Sequence, residues 1–371
     1  MPTEIGFVRY FADLPDPRVD RTKWHRLDDI LVITLCAVIC GADSFEEIER
    51  FGKARHDWLK RFLALPKGIP SHDTFNRVLA ALDRRKFAAC FARWMTDLCA
   101  RTGLRAIAVD GKSCRAAPGD TFSGCLHLVS AWAVENNLIL GQVAVAEGSH
   151  EIAAIPELLA VLDLRGALVS VDAAGCQTDI IGQIRAQGGD YLAAVKGNQP
   201  SLQRAVHAAF DRAAAADFAG CRMAATVEDG HGRHEERYVT VIPNPEGLPG
   251  KWADVGAVVM VGREREAKGR NASTTHYYLT SLRATARKVA GYIRGHWGVE
   301  NGLHWCLDVA FGEDANRTRD RNAGANLGIV RRVAASLLKQ DKSRGSIKAK
   351  RFGAALDEAY LERILKGFTT I

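Results

Sequence analysis

The sequence predicts an α/β protein with a helical N-terminal region, and three observations carry that prediction. Residues 1–100 hold apolar residues at helical spacing between tight breaks. From Ala106 onward, short apolar runs ending in aspartate alternate with helical stretches, the order of an α/β fold. Residues 220–282 break into short β-rich runs between Gly, Pro and Asn clusters, before helical spacing returns from Ala284 to Leu338.

The helical region begins with Leu27 to Cys40, a strongly apolar stretch that stops at Gly41. Its Ile30–Cys40 segment is 11 residues long, short of the roughly 18–20 that a membrane helix needs, and it directly follows Asp28 and Asp29, so it reads as a buried helix. Ser44-Phe45-Glu46-Glu47 fits a capping box that starts a helix through Phe62. Pro66, Gly68 and Pro70 break the pattern, and Ser71 caps a helix over Asp73–Leu82 with Phe75, Val78, Leu79 and Leu82 on one face. A further helix covers Arg84–Cys99. Short helices with tight breaks fit a helix-turn-helix or a plain helical bundle, and both readings stand at this point.

The texture changes near Arg105. Ala106–Val109 is a buried-strand run ending at Asp110; Leu126–Ala133 and Leu138–Ala146 are two more, joined by the turn-forming Glu135-Asn136-Asn137. A helix over Ile152–Leu162 leads to the strand Ala167–Val171, which ends at Asp172. The next helix runs through Ile184 and is ended by Gly188-Gly189; the strand Tyr191–Val195 then ends at Lys196-Gly197-Asn198. The β-rich segment offers Tyr238–Ile242, Val255–Val261 and Thr275–Leu279. The domains so read are 1–100, 101–219, 220–282, 283–340 and a basic tail over 341–371.

The composition, 47% hydrophobic and 25% charged, excludes a disordered, collagen-like or coiled-coil chain. The N-terminus lacks the basic and apolar regions of a signal peptide, and the nine cysteines are odd in number, scattered and without a CxxC pair. Free thiols in a reducing cytoplasm are expected. The net charge of +7 is unevenly spread: excesses of +2, −3, 0 and +8 fall on residues 1–100, 101–219, 220–282 and 283–371. Residues 315–351 alone carry 11 basic groups against Asp320 and Asp341, a pattern suited to phosphates or to a solvated tail.

Asp110 and Asp172 stand in matched contexts, each closing a buried strand run. Residues just past strand ends line the crevice of an open α/β sheet. An ionised carboxylate there is costly to desolvate unless compensated, and a hard divalent ion such as Mg²⁺ compensates two neighbouring carboxylates. A helix N-cap for Asp172 and a turn before Gly111 for Asp110 are the alternatives. Residues 292–305 hold two Trp, two His and Glu300, with His296, Glu300 and His304 at helical repeat spacing. The two histidines are about 12 Å apart along a helix axis, too far to share one zinc ion.

Asp110-Gly111-Lys112, Asp172-Ala173-Ala174-Gly175-Cys176-Gln177, Lys196-Gly197-Asn198-Gln199 and His296-Trp297-Gly298-Val299-Glu300-Asn301 occur in that order. With them the chain, from Phe11 to Leu338, resembles insertion-sequence transposases of the DDE superfamily, of the ISAs-type group that includes the H-repeat-associated proteins. The resemblance implies a ribonuclease-H-like catalytic core with a helical N-terminal domain and a β-rich insertion before the last catalytic helix. It implies a catalytic, metal-holding triad of Asp110, Asp172 and Glu300, two Mg²⁺ ions (with Mn²⁺ as a substitute) and metal-dependent cleavage and transfer of DNA strands. The implied partners are double-stranded DNA, both terminal inverted repeats and target, and a second copy in the synaptic complex; the implied location is the bacterial cytoplasm, at the nucleoid.

The chain departs from the Tyr, Arg, Glu, Lys signature of many relatives. His296 stands four before Glu300, Leu307 seven after, and Tyr292 eight before rather than seven. DNA contacts are therefore expected of other residues: Lys112, Lys196, Asn198, His296, Trp297, Asn301, Arg317, Arg319, Arg331 and Arg332. His304 and Asp308 are further stand-ins for the signature, and Trp297 and Trp305 are candidates to stack on an unpaired base or to fill the core. A nuclease of the same fold that cuts without joining, and a decayed or non-catalytic DNA-binding relative, are the competing readings.

Overall fold

The computed structural model of the chain describes residues 6–102, 106–114, 126–230, 233–267 and 270–366; Arg105 and Cys125 lie outside the described residues. It divides into two compact units, the first formed by Met1–Gly103, Gly111–Ser149 and Glu300–Ile371, the second by Leu104–Asp110 and His150–Val299. Strand β1 (Ala106–Cys114) passes from the second unit into the first after Asp110.

The first unit is mainly helical: α1 (Gly6–Phe11), α2 (Leu27–Ile39), α3 (Phe45–Ala54), α4 (His56–Leu59), α5 (His72–Ala81) and α6 (Arg84–Thr102). As the apolar run requires, α2 is buried from Asp29 to Ile39. Asp29 itself is accommodated by the backbone amides of Ala64 and Leu65, which donate to its carboxylate at 3.3 and 2.9 Å. The expected capping box closes on α3, with Glu47 reaching back to the Ser44 amide, and Ser71 caps α5 through the Thr74 amide. Strands β2 (Leu126–Ala133) and β3 (Leu138–Ala144) form the expected antiparallel hairpin, with Asn137 at a positive φ of 53° in its turn.

The second unit carries the strands that lead to Asp110 and Asp172; Asp172 directly follows β4 (Leu168–Val171), whereas Asp110, expected to end its run, lies within β1, which continues to Cys114. The first half of β1 pairs in parallel with β4, and β4 in parallel with β5 (Asp190–Val195). Helices α7 (Glu151–Ala160) and α8 (Thr178–Ala186) lie between these strands in the chain. The β-rich segment is a meander of four long strands, β6 (Arg222–Gly230), β7 (Arg233–Pro243), β8 (Ala257–Ala267) and β9 (Arg270–Thr280), and β9 pairs antiparallel with β5. In this unit the sequence reading misses α9 (Pro200–Ala215) and β6. Strand β6 is exposed along most of its length, so it shows no apolar face to mark it. Helix α10 (Ala286–Val299) covers the meander, packing Ala286, Val289 and Ile293 on Val239, Val241, Val259 and Val261.

The chain then returns to the first unit. Instead of continuing α10, Glu300–His304 form a single π-helical turn before α11 (Trp305–Phe311), so the helical register linking His296, Glu300 and His304 is interrupted. Helix α12 (Arg321–Gln340) starts at the Asp320 cap and is buried at every residue from Ala323 to Leu338. It packs against α2, α5, α6, α11, β2 and β3, and against α13 (Ile347–Leu356) and α14 (Glu358–Lys366). Gly328 allows the hairpin to approach, since a Cβ there would stand 3.3 Å from Leu128 and 3.4 Å from the Gln142 amide.

This packing corrects two expectations. Arg331 and Arg332 are only 1% and 0% exposed, so they are not available to DNA phosphates. Arg332 donates to Glu313 at 2.6 Å, and also to Ser130 and the Gly328 carbonyl; Arg331 donates to the Asp43 carbonyl at 3.3 Å. The segment expected as a basic tail is instead α13 and α14, where Lys350 and Arg351 are buried and donate to the carbonyls of Leu338 and Val38. Among the described residues no helix is long and apolar enough to cross a membrane.

Removing one partner of a buried ion pair strands the other charge. Glu313→Gln is therefore expected to lower the unfolding free energy by about 3–5 kcal/mol in urea denaturation. The double change Glu313→Gln with Arg332→Met is expected to recover most of that loss.

Candidate functional site

Strands β1 and β4 run in one-for-one parallel register, from Ala106 opposite Leu168 to Val109 opposite Val171. The next residues are Asp110, which lies within β1, and Asp172, which directly follows the end of β4. Both are half-buried. The Asp172 carboxylate accepts the Gly175 amide at 3.0 Å. Gly175 makes this turn possible, because a Cβ there would stand 2.8 Å from Val171 Cβ and 3.3 Å from Ile155. Burial, reinforced by the negative Glu151, pushes the Asp172 carboxyl above its ordinary value, against the opposing effect of the Gly175 and Ala174 amides and Lys196. Such a carboxylate gains from a neighbouring cation.

The Lys196-Gly197-Asn198-Gln199 segment closes this edge of the second unit. Lys196 is exposed. Asn198 is spent on structure: its side-chain amide donates to the Ala173 carbonyl at 2.6 Å, and Gln199 donates to the Cys176 carbonyl at 3.0 Å. The two loop motifs thus brace each other.

His296 does not present a charge to phosphate. Its Nδ1 shares a hydrogen bond of 3.0 Å with the Ser170 hydroxyl, which in turn donates to the Ile107 carbonyl at 3.3 Å. Burial pushes the imidazole down to about 4, so it is neutral at pH 7 and ties α10 to β4 beneath Asp172. Trp297 is half-buried against the α10 core, with the His276 ring edge-on at 5.5 Å and the Arg263 guanidinium 5.9 Å from its centroid.

Glu300 is exposed and opens the π-helical turn, at the residue where the chain passes into the first unit; the Asn301 side chain lies outside the described residues. In that unit, Lys112 is likewise not a free phosphate contact. Its ammonium lies 2.7 Å from both Asp308 and Asp314 and 3.8 Å from Glu313, with its side chain 6% exposed. Burial draws the ammonium down, but the bonds to Asp308 and Asp314 outweigh it and hold Lys112 above its ordinary value. Arg317 and Arg319 are exposed, as a phosphate contact requires. Trp305 is 62% exposed.

The parallel register of β1 and β4 thus ends one residue before Asp110 and Asp172, and Lys196 and Glu151 act electrostatically on Asp172. Among the described residues no cluster of three or more His, Cys, Asp or Glu forms a ready-made metal cage. A pair of hard carboxylate oxygens nevertheless suits Mg²⁺, which keeps waters and takes substrate phosphate oxygens alongside one or two carboxylates. The sequence reading missed Ser170 and Glu151; both carry common residue types in unremarkable positions, and only the register of β4 and the placement of α7 give them a role.

Comparison with known proteins gives a consistent result. Residues 8–95 match the model of the DDE_Tnp_1-associated family, and residues 101–337 match the transposase DDE domain. The chain is 38% identical to the putative transposase YncI of Escherichia coli O157:H7, over 97% of this chain and 94% of the relative. It is also 38% identical to the H repeat-associated putative transposase YhhI of Escherichia coli K12, over 97% of each. Among solved structures, the piggyBac transposase in a synaptic complex with hairpin DNA aligns at 9% identity with a TM-score of 0.40, over 96% of this chain and 76% of that one.

The half-buried, neutral His296 has a pH signature. Its folded value of about 4 lies below the ordinary 6.5, so the unfolded chain binds the extra proton between them. The stability it contributes is full above pH 6.5 and is lost as pH falls toward 4. Unfolding free energies measured across this window are expected to fall less steeply in His296→Gln than in the wild type.

Proposed function

This chain belongs to the DDE transposase family, and from that premise we propose that it is the transposase of a bacterial insertion sequence, binding the element's ends and catalysing Mg²⁺-dependent cleavage and transfer of DNA strands. The observation that supports the proposal is the parallel register of β1 and β4, whose last pair, Val109 opposite Val171, stands one residue before Asp110 and Asp172. In this reading the catalytic core is ribonuclease-H-like, and Glu300 is the third acid.

Asp110, Asp172 and Glu300 would hold the metal. Held there, Mg²⁺ would supply activation of the attacking oxygen and stabilisation of the leaving one. The chain's own residues then bind, orient and steady the DNA strand. A water oxygen, or later the 3′-hydroxyl of the element's end, forms a new bond to phosphorus as the bond to the departing 3′-oxygen breaks. That oxygen leaves as a hydroxyl. No covalent enzyme intermediate is required, in keeping with the absence of a paired nucleophile and base among the residues singled out. Lys196 and the exposed Arg317 and Arg319 are proposed phosphate contacts. Trp297 and Asn301 are proposed to act nearer the DNA end. Joining two ends calls for two copies of the chain in the synaptic complex.

The test takes as substrate matched inverted repeats sought in the DNA that flanks the reading frame. Asp110→Ala, Asp172→Ala and Glu300→Gln are each expected to lower cleavage by about 10³-fold or more while end binding persists. Undiminished cleavage in any of them removes that residue from the triad. A pre-cleaved end with Mg²⁺ then separates joining from cutting alone.

A further inference from the structure

The outer face of α10 repeats Arg287, Gly291, Arg294 and Gly298 at i, i+4, i+7 and i+11, which gathers them within an arc of about 60°. His296 stands on the opposite face, which is why it turns inward. Arg287 and Arg294 are exposed, and a Cβ built at Gly291 or Gly298 meets nothing within 4 Å. The helix therefore presents two guanidinium groups, rooted about 10 Å apart along its axis, with bare backbone between and beyond them. Arg287 has no ion-pair partner among the described residues. Arg294 does: its Nη1 lies 2.5 Å from Glu228 on β6, and the same carboxylate takes Arg237 at 3.0 Å. Glu228 is 46% exposed, so this carboxylate between two guanidiniums stands open to solvent. The Arg287, Arg294 and Arg237 side chains also rim a cavity of about 220 Å³ floored by Val239, Val261 and Trp297.

We propose that the Arg287–Arg294 face of α10 is a seat for the phosphodiester backbone of DNA, and that Glu228 occupies it in the free protein as a stand-in for a phosphate. The inference rests on the transposase reading and adds to it residues outside the sequence motifs. Carboxylate and phosphate are bound by arginine through the same forked pair of hydrogen bonds, so a backbone phosphate replaces Glu228 without rebuilding the site. The glycines between the cations let a strand lie against the helix rather than over side chains. One residue past the end of α10 in the chain is Glu300, so a strand seated here is led toward the proposed third acid.

The test is fluorescence anisotropy of a random-sequence 40-bp duplex bound to the full chain at several salt concentrations. Arg287→Ala and Arg294→Ala are each expected to weaken binding about three- to tenfold and to reduce the slope of log affinity against log salt by about 0.9, the loss of one phosphate contact. Arg294→Lys is expected to keep the slope. Glu228→Gln is expected to tighten binding by a similar factor, whereas Glu246→Gln, the same change of charge at another exposed carboxylate, leaves it unaltered. A wild type that binds with strong salt dependence, beside arginine variants with its slope or a Glu228→Gln no tighter than Glu246→Gln, overturns the α10 seat and leaves the transposase reading standing. A wild type with no salt-dependent binding overturns both. Circular-dichroism melts that match the wild type confirm that each variant compared is folded.

Discussion

The parallel register between β1 and β4 is the constraint on which the rest of the functional argument depends. Four residue pairs, Ala106–Leu168 to Val109–Val171, keep the two strands in step up to the residues just before Asp110 and Asp172. A slip of one residue would turn every side chain of one strand to the other face and separate the two acids. The rest of the second unit serves this register. Ser170 donates across it to Ile107, His296 anchors α10 on Ser170, and Gly175 folds the following loop tightly enough for its amide to hold Asp172. The two loop motifs after β4 and β5 brace each other through Asn198 and Gln199.

The first unit solves a different problem, that of burying charge. Helix α12 is enclosed along most of its length yet carries two consecutive arginines. Their neutralisation draws Glu313 inward, and Lys112 is held close by between Asp308 and Asp314. Such pairs contribute little net stability but penalise any packing that separates them, so they specify one arrangement of β1, β2, α11 and α12. They also explain why a strongly basic C-terminal segment is a poor guide to the DNA-facing surface: much of its charge is spent inside.

Sequence alone carried the mixed α/β character of the fold and many of its elements. The Ser44 capping box, the Ser71 cap, the buried α2 and the hairpin are all local features, fixed by neighbours within a few residues. What escaped it depends on distant contacts. Arg331 and Arg332 look like DNA-binding cations until eight other elements close around α12. His296 looks like a replacement for the signature arginine until the face of α10 that carries it is seen to meet β4. The π-helical turn at Glu300–His304 breaks a periodicity that the spacing of histidines and glutamate had suggested. Glu228 and Arg294 belong to no shared local pattern, being 66 residues apart in the chain.

The central claim is that Asp110 and Asp172 hold a divalent metal. The most direct test replaces each with cysteine and follows cleavage of the element's end in Mg²⁺ and in Mn²⁺. A thiolate is a poor ligand for hard Mg²⁺ and a better one for Mn²⁺. The account predicts that Asp110→Cys and Asp172→Cys are inactive with Mg²⁺ and recover activity with Mn²⁺. Cleavage by either variant at the wild-type rate in Mg²⁺ would contradict it.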